Sequence, residues 1–382
     1  FMMVCVYQLY LFFTQEEKKY QHVLIGAIFF GCSFMSKGPV SMYALLLPFI
    51  LAFGIVYKYK HFKSRVLPLL LFLILSLVFS GWWHLYIYEY DPIAVAEITQ
   101  RETDNWTGYN VRPFYYYWSF FIQSGVWTIL AFIGLLYPYL KNKVSNKKAY
   151  LFTFLWTIIS VVLLSIIPEK KSRYLLPVLI PLALNTGFYV EYLIMKFAEI
   201  KDKRETIPVY FNFGLIASIG LIFPIGGYLF LKDSLEGKWI WFILLSIGLF
   251  CLGFSMLRNL IRKRIQTVFY LTIAFIVNVI CFGLPLADVF EDNPAYNGLS
   301  EMKEWQQNEH VEVYEYAYFT PELIWDYGEP IEVLMQNNEL KIPSEDRFAI
   351  LVGEDELPAF VKAFEDYNVE KVRRYDMNPR AE

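Results

Sequence analysis

Three short stretches of this chain gather residue types that do chemistry on phosphates and sugars. The densest is PEKKSRYLLPVLIP, residues 168 to 181, where Lys170, Lys171 and Arg173 crowd together and Tyr174 follows. Arginine grips two phosphate oxygens in a fork and lysine acts as a point charge, so the group suits a phosphate or pyrophosphate. Contact with anionic lipid headgroups is the plainer use of the same charges. The second stretch is Ser36, Lys37, Gly38 and Pro39, a lysine followed by a tight turn; a single such lysine commonly anchors a helix at an interface. The third runs from Trp82, Trp83 and His84 through Glu89, Asp91, Glu97, Arg101, Glu102 and Asp104 to Arg112, ahead of the aromatic cluster at 114 to 118. Its carboxylates suit sugar hydroxyls, while the aromatic residues alone would form an interfacial belt.

The elements that must carry these stretches are apolar helices. Hydrophobic residues make up 56% of the 382, charged residues only 19% and aromatic residues 19%, which departs from the quarter or so of charged residues in a soluble domain. Against a hydrocarbon core of about 30 Å, apolar runs predict spans near 1–14, 22–36, 40–57, 66–88, 114–139, 149–167, 175–195, 207–231, 239–257 and 267–287. The fold class expected is therefore a polytopic α-helical membrane protein of about ten transmembrane helices, followed by a small soluble α/β domain. The domain boundary falls between 288 and 289, because the chain beyond it holds 22 acidic and 8 basic residues, a net of −14, against +11 before it. Nucleic acid is an unsuitable partner for either part.

Lysine and arginine alternate between connections: 18 fall in those at 15–20, 58–65, 141–148, 196–206 and 258–266, and 8 in those at 36–39, 89–112, 168–174 and 232–238. By the positive-inside rule the first set is cytoplasmic. All three chemical stretches then lie outside, as does the tail, and the Lys170–Arg173 cluster runs against the prevailing charge bias. Parity puts Phe1 outside too, in mid-hydrophobic run, so an odd number of further spans is expected upstream.

In the tail, helical patterns at 297–307, 321–327 and 357–366 alternate with strand patterns at 311–318, 331–335, 348–352 and 369–375. Gly353 stands without a phosphate-binding glycine pattern, so the tail is read as a folded cap without chemistry of its own. Cys5, Cys32, Cys251 and Cys281 are dispersed in apolar runs, at no redox or metal-ligand spacing,. A divalent metal is left open: His84 with Glu89 and Asp91 is too sparse to assign as a ligand set.

SKGP, the loop from GWWH to NVRPFYYYW, the KKSRYLLPVLIPLAL run and the terminal α/β domain together resemble the bacterial membrane glycosyltransferases of the GT-C type. The likeness is to the branch of the aminoarabinose lipid A transferase and its relatives, akin to protein O-mannosyltransferases (family-39-like). The resemblance implies an enzyme of the cytoplasmic (inner) membrane that moves a sugar, with inversion, from a polyprenyl-phosphate donor to a lipid, glycan or protein acceptor in the cell envelope. It matches Lys37 to the lysine of the KGP turn, Arg173 and Tyr174 to the RYLLP positions, and Glu102 to an outer-loop acid. It places the principal catalytic carboxylates upstream of Phe1, so the chain alone is expected to be inactive. The substrate-binding candidates are thus Lys37, Lys170, Lys171, Arg173, Tyr174 and Glu102. The alternative is a transporter or flippase for a lipid-linked saccharide, which would need the cations and aromatics without a catalytic acid; a non-catalytic membrane subunit would leave the basic cluster unexplained.

Overall fold

The structure, a computed structural model, describes residues 1–108, 110–232, 235, 237–290, 297–299, 302–317, 321–336 and 339–376. The chain divides into two compact units, the first formed by 1–226 with 246–278 and the second by 227–245 with 279–382.

The first unit is helical. It begins with α1 (Met2–Thr14) and α2 (Lys19–Lys37), continues through a single π turn at Met42–Leu46 into α3 (Leu47–Tyr57), and then forms α4 (Phe62–Tyr90) and α5 (Pro92–Gly108). After two 3-10 segments, Phe114–Tyr117 and Phe120–Trp127, come α6 (Thr128–Gly134), α7 (Tyr137–Leu140) and α8 (Lys147–Ile166). A third 3-10 segment, Ser172–Val178, leads into α9 (Leu179–Lys196), followed by α10 (Lys203–Leu231), α11 (Trp239–Ile261) and α12 (Ile265–Gly283), the last three running into the second unit.

Among the described residues, seven helical segments are long and apolar enough to cross a membrane: 62–90, 114–134, 147–166, 172–196, 203–231, 239–261 and 265–287. Met2–Thr14 and Met42–Tyr57 are apolar but shorter. Leu67 and Leu77 of α4 are 67% and 70% exposed, which suits apolar surroundings rather than water.

Packing follows small residues and aromatics. α2 lies on α1 and α4, and Gly31 permits the second approach, since a Cβ there would stand 2.5 Å from the Phe79 Cβ. Cys5, Phe12, Val23, Ala27, Phe49, Phe53, Phe72 and Trp156 form one core, and Ala44, Tyr117, Phe120, Val161, Leu164, Tyr174, Leu175 and Leu182 another. All four cysteines are free thiols.

Two predicted features change. The span expected at 114–139 is broken, with Gly125 at φ 62° between the second 3-10 segment and α6, because Pro113, Gly125 and Pro138 punctuate the run. The connection after α4 is not a loop: Asp91 alone separates α4 from the 17-residue helix α5.

The second unit contains β1 (Glu312–Glu315), β2 (Glu332–Val333) and β5 (Phe348–Leu351) in a wholly parallel sheet of order β2-β1-β5, with Glu312 opposite Phe348 and Tyr314 opposite Glu332. β3 (Met335–Gln336) and β4 (Glu339–Leu340) make a short antiparallel hairpin. Alternation along the central strand β1 sends Val313 into a core with Leu299, Met302, Leu323, Tyr327 and Ile331, and its partner face toward Tyr316, Leu334, Phe360 and Phe364,. Helices α13 (Met302–Glu309), α14 (Pro321–Tyr327) and α15 (Leu357–Ala363) supply those cores. The strand expected at 369–375 does not form. Val369, Val372 and Tyr375 recur every third residue, so no strand face collects them, and both valines are exposed,. The segment is tied to the fold by a bridge between Asn297 and Asp376, the Asn297 side-chain amide donating to Arg374 O at 3.3 Å, an Arg374–Glu354 ion pair at 3.1 Å and Tyr375 packed on the Val313 core.

Candidate functional site

The site assembles where the turn after α8 meets the strip before the first 3-10 segment. α8 starts at an Asn146 cap, whose side chain accepts a hydrogen bond from the Ala149 N–H at 3.0 Å, and stops at Ile166, before Pro168. From there the backbone runs extended. Lys170 N–H donates to Asn110 O at 3.1 Å and Arg112 N–H to Pro168 O at 3.4 Å, which sets Val111 against Glu169 as an antiparallel bridge.

Tyr117 then locks the next residue. Its hydroxyl donates to Lys171 O at 3.0 Å and accepts from Lys171 N–H at 2.9 Å, so one buried phenol holds both backbone polar groups of a single residue. The Lys171 side chain is fixed separately: Nζ lies 2.6 Å from Glu169 Oε1 and 5.9 Å from the centre of the Tyr174 ring. Hydrogen bonding from Glu169 is the foremost reason that the Lys171 ammonium is held above the usual lysine range, with burial opposing it and Arg173 lowering it slightly.

Lys170 faces the other way. It is 4% exposed, its Nζ donating to Ile167 O at 2.6 Å and to Pro168 O at 3.4 Å. Those carbonyls follow the α8 C-terminus, where the helix dipole favours a cation. Burial lowers its pKa from the ordinary lysine value. Arg173 is exposed, and Tyr174 is 8% exposed within the core shared with Tyr117 and Leu175, against which Tyr43 also packs.

The KGP turn is built as the residues suggest. α2 ends with Lys37, and Gly38 at φ 65° turns the chain while its N–H donates to Phe34 O at 2.6 Å. Ser33 and Ser41 close the turn through a 2.9 Å hydroxyl pair. The π turn that follows packs on the 3-10 segment carrying Arg173 and Tyr174. Lys37 itself is exposed and has no ion pair with the Glu169–Tyr174 group among the described residues. Glu102 lies on α5, but the placement of its side chain, like those of Glu97 and Arg101, falls outside the described residues. His84 sets its ring edge-on to Phe34 at 5.9 Å. Among the described residues no three His, Cys, Asp or Glu side chains gather as a metal site.

Sequence reasoning thus named Lys170, Lys171, Arg173 and Tyr174, which are neighbours in the fold, and passed over Glu169 and Tyr117, which organise them. Glu169 had a signal, an acid two residues before a lysine in an otherwise basic loop. Tyr117 had none, since a tyrosine in an aromatic cluster reads as part of a belt.

Two solved structures share this architecture. The ArnT crystal structure from Cupriavidus metallidurans bound to undecaprenyl phosphate matches with a TM-score of 0.55 at 14% identity, over 95% of this chain and 66% of that one. Its apo form matches with a TM-score of 0.52 at 15% identity, over 96% and 66%. The chain has the fold of the aminoarabinose transferases. Sequence agrees with fold: the undecaprenyl phosphate-alpha-4-amino-4-deoxy-L-arabinose arabinosyl transferase of Serratia proteamaculans is 26% identical over 217 residues, 55% of this chain and 37% of that protein. An enzyme of the same description from Proteus mirabilis is 22% identical over 237 residues, 58% and 39% of the two chains. The aligned stretches therefore span less than two fifths of the curated aminoarabinose transferases. No protein-family model matches the chain. The GT-C resemblance read from KGP, RYLLP and the loop between them is borne out at the level of the family.

Proposed function

We propose that this chain is part of an integral-membrane glycosyltransferase that takes a sugar from a polyprenyl-phosphate donor at the outer face of the bacterial cytoplasmic membrane. The observation that carries the reading is Lys171, fixed by Tyr117 and Glu169 next to a helix end with Arg173 and Tyr174 following it, in a fold shared with a protein solved with undecaprenyl phosphate. The acceptor is a lipid, glycan or protein hydroxyl or phosphate; the sugar is a pentose or hexose.

An acceptor oxygen attacks the anomeric carbon and forms the new glycosidic bond. The bond from that carbon to the phosphate oxygen breaks, its electron pair leaving with the polyprenyl phosphate, and the configuration inverts. Arg173 and Lys171 offset the charge that develops on the departing phosphate, the arginine as a fork and the lysine as a point charge. The acceptor proton passes to a carboxylate. Glu102 is the candidate within this chain.

The reading includes ten spans, with α1, α2 and the π turn with α3 crossing alongside the seven long segments, and an acidic domain from 289 onward on the outer side. Lys37, at the KGP turn, faces the same side and is assigned to the donor's approach. Incubating the full-length protein with a radiolabelled polyprenyl-phosphate sugar and cell-envelope lipid should move label into a lipid, glycan or protein fraction; release of intact donor across vesicles without transfer would favour the transporter instead.

A further inference from the structure

Glu169 is a carboxylate almost without access to water, 5% exposed, and the transfer just described gives it no step. Its bond to Lys171 at 2.6 Å fixes the ammonium but is unnecessary for placing that residue's backbone, because Tyr117 holds both the Lys171 N–H and its carbonyl. The carboxylate therefore does something other than position the main chain. To a lysine ammonium a carboxylate and a phosphate look alike, each offering anionic oxygens for a charge-assisted hydrogen bond. To each other they are like charges, and like charges a few ångströms apart in a poorly solvated site repel strongly.

We propose that Glu169 is a resident competitor for the anion: it occupies Lys171 while the site is free and yields the lysine when a prenyl-linked phosphate, the donor's diester or the monoester left after transfer, arrives. The carboxylate spares Lys171 an uncompensated charge, which would be costly in a site where its side chain is only 24% exposed,. It also weakens the hold on phosphate, so that the polyprenyl phosphate left after transfer is released rather than retained. The inference rests on the donor reading above, with Arg173 as the fork that the incoming phosphate meets beside Lys171.

Binding of radiolabelled farnesyl phosphate to the full-length protein in phosphatidylcholine nanodiscs tests it. Glu169→Gln should bind roughly tenfold tighter than the wild type, and adding Lys171→Gln to it should abolish the gain. Glu169→Asp, which draws the charge back from Lys171 by one methylene, should fall between wild type and Glu169→Gln; it decides the matter if the glutamine variant does not fold. Equal or weaker binding by a folded variant overturns the competitor role and leaves the transferase reading standing. Absence of saturable binding in wild type and variants alike removes both. Displacement of farnesyl phosphate by equimolar phosphatidylglycerol overturns the assignment to a prenyl-linked phosphate, since the anion held would then be a phospholipid headgroup.

Discussion

Two residues show how differently one sequence motif spends its charges. Lys170 and Lys171 are adjacent, but Lys170 caps the carbonyls after α8 while Lys171 stands with Glu169 under the Tyr174 ring. Lys170→Met should therefore act on folding: loss of two charge-assisted contacts at a helix end lowers stability by about 1–3 kcal/mol, visible as a lower unfolding temperature, with the transfer rate per folded molecule little changed. Tyr117→Phe should do the reverse in proportion. It deletes both hydrogen bonds to the Lys171 peptide and leaves two backbone groups to find new partners, at a cost of about 1–3 kcal/mol in stability, but it also frees the segment carrying the phosphate group, so transfer should fall further than the folded fraction does. A Tyr117→Phe protein with normal turnover would show that the clamp is dispensable. Neither distinction is visible in the sequence, where KK is two equal charges; the backbone direction after Pro168 decides which one turns inward.

At the scale of the element, the connection between α1 and α2 makes a claim about pH. Arg65 at the start of α4 is 3% exposed, its guanidinium donating to Phe13 O at 2.5 Å and to Glu16 Oε1 at 2.7 Å. The Glu16 carboxyl is held below the usual carboxylate range, foremost by Lys19 and then by Arg65. Stability from that depressed carboxylate is complete above the unfolded value of about 4.3 and is lost as pH falls through the lower folded value. Glu16→Gln should lower the unfolding temperature at neutral pH, leave it unchanged at the lowest pH and so flatten the acid limb; an unaltered acid limb would exclude Glu16 as its source. Gly38→Ala should cost about 1 kcal/mol, because its φ of 65° is strained for a side chain although open space surrounds it,. The KGP turn was legible because glycine and proline announce a helix end. The break at Gly125 was not: 114–139 is apolar throughout, and hydropathy does not distinguish an α-helix from consecutive 3-10 turns.

At the scale of the molecule, hydropathy and loop charge carried most of the weight, since long apolar helices and their order follow from composition alone, and the parallel β1–β5 pairing lies where strand patterns at 311–318 and 348–352 put it. The failed strand at 369–375 had high β-propensity but a period of three. Orientation is the molecular claim still to be checked. Single cysteines placed in the tail of a cysteine-free protein should react with a membrane-impermeant maleimide on intact cells, and cysteines at 58–65 or 258–266 only after permeabilisation. The central claim is that the group after α8 holds a donor phosphate, and the most direct measurement is the transfer rate from a polyprenyl-phosphate sugar by full-length protein carrying substitutions at Arg173. A donor aimed at charge that develops in the transition state is worth roughly 2–4 kcal/mol, so Arg173→Ala should slow transfer by about 30-fold to a thousandfold, and Arg173→Lys should recover only part of it, because a point charge cannot reproduce two parallel hydrogen bonds. Near-normal turnover in both variants, correctly inserted in the membrane, would contradict the account and make Arg173 an interfacial anchor.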